Sequence, residues 1–277
     1  MTLAFARFRR QIALVTGIAF GADKQYLVES RLAPVMRTHN LSGFADLTEA
    51  FERRDNGPLA RDVIDALTTN ETFFFRDRTP FETFRTTILP SLMASRAQER
   101  RLRFWCAACS TGQEAYSLAM VLENEAIALR GWSLDILATD LSTRAVETAR
   151  NGRYSQFEVQ RGLSTGLLLR HFHRDGASWR VNEHLRARID FRAFNLLSDY
   201  EALGAFDVIF CRNVLMYFEP ETKRAVLARL ADALTDGGYL VLGATETAAE
   251  AGAFFSQTTA NGVWQTRRRA QPQLRLA

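Results

Sequence analysis

The sequence predicts an α/β protein in two parts: an all-helical domain over residues 1–78, then a mostly parallel sheet domain over residues 79–277. A small β-subdomain is expected as an insertion at about 151–190. Three observations predict this. Up to about residue 95, apolar residues recur at helical spacing and nothing reads as a strand. From residue 102, short continuous apolar runs alternate with helical stretches, the pattern of strands buried on both faces of a parallel sheet. Between 151 and 190 the rhythm breaks, and residues 173–176 followed by 179–181 read as a hairpin.

In order, Phe5, Phe8, Ile12 and Val15 mark a first helix, and Leu27, Leu32, Val35 and Met36 a second. Ser42 is placed to cap a third, carrying Phe44, Leu47 and Phe51. Pro58 begins a fourth with Leu59, Val63 and Leu67, where its missing N–H costs nothing. A fifth helix fits residues 79–94. Strands are expected at 102–107, 134–138, 206–211 and 239–243, the last after the Asp236-Gly237-Gly238 turn. Helices follow the first three, and residues 254–255 and 262–265 supply closing antiparallel strands. The Arg- and Gln-rich tail from Arg267 reads as disordered.

A chain of 277 residues, 47% hydrophobic and 24% charged, can bury a large core and has the balance of a soluble globular protein. No apolar run approaches the roughly 18–20 residues that span a bilayer. The arginines within the first twenty residues break any signal-peptide pattern. The expected location is the cytoplasm. A net charge of +4 is too small to mark a nucleic-acid binder. The charge is unevenly placed: residues 1–37 hold Arg7, Arg9, Arg10, Lys24, Arg31 and Arg37 against Asp23 and Glu29. Such a segment either steers an acidic partner or is a solvated helix face. Cys106 and Cys109 form a C-x-x-C, but no second pair follows, and His171 and His173 lack further ligands at a recognisable spacing. No metal is expected.

In open α/β sheets the ligand sits beyond the carboxyl ends of the strands. Those ends carry the loop 109–112, Asp140, and Arg212 with Asn213. An acid after the second strand can accept both hydroxyls of a ribose. The first loop holds one glycine, so it lacks the fingerprint of a pyrophosphate site. A ribose without pyrophosphate favours S-adenosylmethionine over a dinucleotide. Phe73, Phe74 and Phe75, beside Asn70, Thr72 and Arg76, read either as a packed linker or as an aromatic wall with an arginine facing a carboxylate.

The motifs Thr-Asn-Glu-Thr-x-Phe-Phe-Arg (69–76), Cys-Ser-Thr-Gly-x-Glu (109–114) with Tyr116-Ser117, Thr139-Asp140, Phe194-Asn195-Leu196 and residues 206–218 occur in one order. Together they resemble the chemotaxis receptor methyltransferases, the CheR family, over about residues 10–265. The resemblance implies a class I methyltransferase domain, Rossmann-like, with S-adenosylmethionine as donor and receptor glutamates as acceptors. It places Asn70, Thr72, Arg76 and Glu114 beside the cofactor and Asp140 on its ribose. Asn195, Leu196, Cys211 and Arg212 would border its adenine and methionine parts, and Arg76 and Tyr217 would flank the methyl group as catalytic residues. Gln113 and Ala115 stand where the family usually shows Glu and Pro.

A glutamate acceptor, with a pKa of about 4.3, is ionised at neutral pH and needs no general base. The expected partners are chemoreceptor cytoplasmic helices, met by a monomeric enzyme through the basic first segment, with Arg31 and Arg37 on one helix. Some family members grip a receptor's terminal peptide with the inserted hairpin; the short turn at 175–178 here favours binding without that tether.

Overall fold

The computed structural model describes residues 2–52, 57–258 and 262–266. The helical domain is α1 (Leu3–Thr16), α2 (Gln25–Thr38), α3 (Phe44–Glu52) and α4 (Pro58–Leu67). Its core joins Phe5, Phe8 and Ile12 of α1 to Val28, Leu32 and Val35 of α2, Phe44 and Leu47 of α3, and Val63 and Leu67 of α4. The amphipathic stripes are rotated from the sequence reading: Val15 and Leu27 are exposed, and Val28 takes the core position. Ser42 gives its backbone N–H to the Asp46 carboxylate at the start of α3. Pro58 stands in the first turn of α4, as the sequence predicted. Neither the Phe51 side chain nor the tail beyond residue 266 lies within the described residues.

The predicted helix at 79–94 is α5 (Thr79–Thr83) and α6 (Leu89–Ser95), joined through a π-helical stretch, Phe84–Ile88. Pro90 explains the widening, since it cannot donate to the carbonyl one turn back. The sheet domain then runs β1 (Arg101–Ala107), α7 (Gln113–Asn124), β2 (Ser133–Asp140) and α8 (Thr143–Asn151). The insertion follows: β3 (Arg153–Tyr154), α9 (Gln156–Gln160), α10 (Thr165–His171), β4 (Phe172–Asp175), β5 (Ser178–Val181) and α11 (Glu183–Arg186). The chain returns through β6 (Ile189–Ala193), β7 (Phe206–Cys211), α12 (Pro220–Asp232), β8 (Leu234–Leu242), β9 (Phe255–Gln257) and β10 (Val263–Thr266).

Among the described residues, seven strands form one sheet in the order β6-β2-β1-β7-β8-β10-β9. The first five are parallel, and β10 is antiparallel to both β8 and β9. A second, antiparallel sheet, β3-β5-β4, is the inserted subdomain. Three points differ from the sequence reading. Edge strand β6 escaped it because Ile-Asp-Phe-Arg-Ala alternates rather than running apolar. Two-residue β3 carries no pattern at all. Strand β8 begins at Leu234 and contains the Asp236-Gly237-Gly238 step as an irregularity opposite Phe206 and Val208. Among the described residues, no helix is long and apolar enough to cross a membrane.

The three phenylalanines go mainly to packing. Phe74 is fully buried and meets Tyr154 and Phe172 of the insertion edge-on, with ring centroids at 5.1 and 5.5 Å. Phe75 packs on Phe81. Phe73 is flanked by the Arg76 and Arg161 guanidinium groups, 5.7 and 4.3 Å from its ring centre. The insertion approaches so closely that a Cβ on Gly162 would stand 1.8 Å from the Phe74 carbonyl oxygen, and its φ of +101° also requires glycine.

Candidate functional site

A cavity of about 320 Å³ opens beyond the carboxyl ends of β1, β2 and β7, within the range of small-molecule sites. The segment after α1, helix α2 and the linker 67–72 close it from the helical side. Asn70, Thr72, Arg76, Glu114, Asp140, Asn195, Leu196, Arg212 and Tyr217 all line it, so the tertiary fold gathers residues scattered over most of the chain. Cys211 is the exception. As the last residue of β7 it turns its fully buried side chain into the core cluster with Leu215, Val226 and Leu227, behind the wall. Phe73, Phe74 and Phe75 do not line the cavity either, so the packed-linker reading holds for the rings and the cleft-facing reading for Arg76.

The first wall is the loop from β1 to α7. Ala108, Ser110 and Gly112 alternate in left-handed backbone conformations, at φ of 62°, 51° and 96°. A Cβ on Gly112 would meet Ala149 Cβ of α8 at 2.8 Å, which explains the single glycine: it serves close helix packing. The loop is held from several sides. Tyr154 Oη donates to the Thr111 carbonyl at 2.7 Å, and Ser110 Oγ donates to the Asn70 carbonyl at 2.9 Å.

Asp140 ends β2 and is nearly buried. Its Oδ2 accepts the Ser110 N–H at 2.8 Å and its Oδ1 the Ser142 N–H at 2.9 Å. Each oxygen keeps a second lone pair for a ligand hydroxyl. Burial pushes this carboxyl above the usual range, against the N–H groups of Ser142 and Ser110. Ser142 in turn donates from Oγ to Asp65 of α4 at 2.6 Å, joining the two domains at the site's edge.

Arg212, at the end of β7, has a side chain only 1% exposed. Its Nη1 donates to Glu114 Oε2 at 2.9 Å, and its Nη2 to Asp77 Oδ2 at 2.7 Å and to the Arg76 carbonyl at 2.9 Å. Burial pushes the Glu114 carboxyl up, while Arg212 pulls it down. Arg212 therefore clamps the β7 end to α7 and to the phenylalanine segment; both of its Nη atoms have protein partners, and its buried Nε has none among the described residues.

Arg76 is different. One nitrogen donates to the Glu71 carbonyl at 2.8 Å, and among the described residues its guanidinium makes no other hydrogen bond. The backbone around it is distorted, with Phe75, Asp77 and Arg78 at φ of 52°, 67° and 46°, and the Phe75 N–H is caught by Ser117 Oγ of α7. Strain of this kind persists only where surrounding structure imposes it. Tyr217 is partly exposed at the cavity wall, its hydroxyl without a hydrogen bond among the described residues. Its carbonyl accepts the Ala19 N–H, and Ile18 bridges Phe218, so the segment after α1 is stitched to the loop after β7. Asn195 reinforces that seam by donating to the Val15 carbonyl at 2.7 Å.

Two features escaped the sequence. Glu246, after β8, accepts the N–H groups of Asn213, Gly243 and Met216, fixing the loop that carries Tyr217. Nothing in a lone Glu thirty residues downstream signals this. Arg31 belongs to the cavity wall rather than to an outer docking face, because its Nη1 donates to the Leu67 carbonyl and to Thr69 Oγ1. Arg37 remains exposed. Cys106 and Cys109 are free, buried thiols whose pKa burial raises.

A model described as the SAM binding domain of CheR methyltransferase matches residues 70–263, and one described as its all-alpha domain matches residues 3–68. The chain is 40% identical over 248 residues to "Chemotaxis protein methyltransferase Cher2" of Pseudomonas putida, covering 88% of this chain and 90% of that protein. It is 43% identical over 246 residues to "Chemotaxis protein methyltransferase 1" of Pseudomonas aeruginosa, covering 87% and 89%. To "Chemotaxis protein methyltransferase" of Vibrio parahaemolyticus it is 40% identical over 244 residues, covering 87% of each.

Proposed function

This chain belongs to the CheR methyltransferase family, and on that premise we propose that it esterifies glutamate side chains on the cytoplasmic helices of a chemoreceptor. It is a methyltransferase, and its cofactor is S-adenosylmethionine. We propose further that it works as a cytoplasmic monomer, with residues 1–78 and 79–277 as its two domains. The observation carrying the acceptor assignment is Arg76, a partly free guanidinium in a cavity whose described lining contains no histidine.

The cavity fits the cofactor: spare lone pairs on Asp140 suit ribose hydroxyls, and the one-glycine loop offers no pyrophosphate cradle. Asn70, Thr72, Glu114, Asn195 and Leu196 would complete the pocket, with Arg212 holding Glu114 in place. When bound, S-adenosylmethionine supplies an electrophilic methyl group on a cationic sulfonium. The protein's task is then alignment and partial removal of water from the acceptor. Arg76 presents its remaining donors to one acceptor oxygen and leaves the other free. Tyr217 borders the same space with a hydroxyl that has no hydrogen-bond partner among the described residues. An ionised glutamate needs no base, and a site without histidine supports that acceptor.

The test is incubation with labelled donor and receptor cytoplasmic fragments, followed by release of base-labile methyl. Base-stable label, or none, would count against glutamate. Asp140→Ala is expected to weaken donor binding by about 1.5–3 kcal/mol in calorimetry, the scale of hydrogen bonds to a charged group. Unchanged affinity would remove Asp140 from the pocket. The Cys106→Ser, Cys109→Ser double variant is expected to keep methyl transfer while losing melting temperature, because each buried hydroxyl costs about 1–3 kcal/mol when unpaired. Loss of turnover in a stably folded double variant would contradict this.

A further inference from the structure

Away from the cavity, Glu123 at the end of α7, His171 at the end of α10 and His184 in α11 converge, with one potential ligand atom from each within 4.8 Å of the others. His184 Nε2 meets the Glu123 carboxylate at a partly exposed edge, 3.3 Å from Oε1 and 3.2 Å from Oε2, and Oε2 is buried with no hydrogen-bond partner among the described residues. His171 is not ordinary. It is fully buried, and among the described residues neither ring nitrogen has a hydrogen-bond partner. A buried polar group left unpaired costs about 1–3 kcal/mol, and native structures rarely leave one unexplained.

We propose that Glu123, His171 and His184 form a binding site for one divalent cation of the zinc class, with water in the fourth position. Two imidazoles and a carboxylate are a zinc-type donor set. Bonds of about 2.0–2.2 Å would place tetrahedral ligand atoms about 3.3 Å apart, so the present spread needs only a modest closure. Burial pushes the His171 pKa down, which favours the neutral, ligating form. His184, half exposed, leaves room for the water. The spacing concealed this trio: Glu123 is 48 residues before His171, and His173, the other half of the H-x-H, pairs with Asn182 instead. The role is structural. The ion would tie the inserted subdomain to α7, whose first turn carries Glu114.

The test titrates zinc alone into the metal-stripped full chain, by calorimetry and thermal melting, beside His184→Gln. That histidine is exposed enough for replacement to leave the fold intact. The expected result is one zinc per chain, a raised melting temperature, and binding weakened about 100-fold or more in the variant. Cobalt(II) should give the intense visible bands of a four-coordinate ion in the wild type alone. Glu123→Gln, which keeps the side-chain shape, should behave as His184→Gln does. Equal zinc affinity in wild type and variants, or none in any, would overturn the site and leave a His184–Glu123 contact beside a buried histidine.

Discussion

Arg212→Ala is expected to destabilise the folded protein by about 3–5 kcal/mol, the cost of stripping the partner from a buried charge. Glu114, whose side chain is 11% exposed, would then sit in the wall of the cavity with no cation in contact. Asp77, more exposed, contributes less because solvent screens it. In a domain of this size the loss corresponds to a fall in melting temperature on the order of 10 °C. The pH dependence has a definite sign. Burial already holds the Glu114 carboxyl above its ordinary value, and removing Arg212 raises it further. The variant's deficit is therefore full above that raised folded value and shrinks as pH falls toward the unfolded value of about 4.3. Melting curves across pH check this. Adding Glu114→Gln to Arg212→Met should recover much of the stability at neutral pH, since neither buried charge remains. A single variant as stable as wild type at pH 7 would show that the pair contributes nothing.

Arg76→Ala is expected to lower turnover about 10- to 100-fold, the scale of one or two hydrogen bonds to a charged group. Its melting temperature should move little, since among the described residues the side chain makes one hydrogen bond, to the Glu71 carbonyl, and flanks Phe73. Arg161 stands closer to the same ring and would hold it. Arg76→Lys is the sharper probe. Lysine keeps the charge and loses the planar fork, so an orienting role leaves a turnover defect, whereas simple attraction restores the rate. Donor affinity must be measured alongside, because the residue also borders the cofactor pocket, and only the pair of numbers separates binding from chemistry. Wild-type turnover and affinity in the lysine variant would eliminate orientation by the fork.

By itself the sequence determined the two-domain order, the central strands, Asp140 at the end of β2 and the single-glycine loop, because these rest on local pattern. Strands β1, β2 and β7 are buried on both faces and must be apolar throughout, so they announce themselves in a few residues. The edge strand β6 and the two-residue β3 need less apolar surface and announce nothing. Tertiary structure alone decided what each polar side chain does. Arg212 meets Glu114 across 98 residues and Asp77 across 135, Arg31 turns inward to Leu67 and Thr69, and Glu246 reaches back to fix the Tyr217 loop. The Phe73–Phe75 run was ambiguous for the same reason: burial of a ring depends on what faces it, and Phe74 found Tyr154 and Phe172 in an insertion some eighty residues on or more. Periodicity reports which face of an element is apolar; it carries no information about the partner that a hydrogen bond or a buried charge requires.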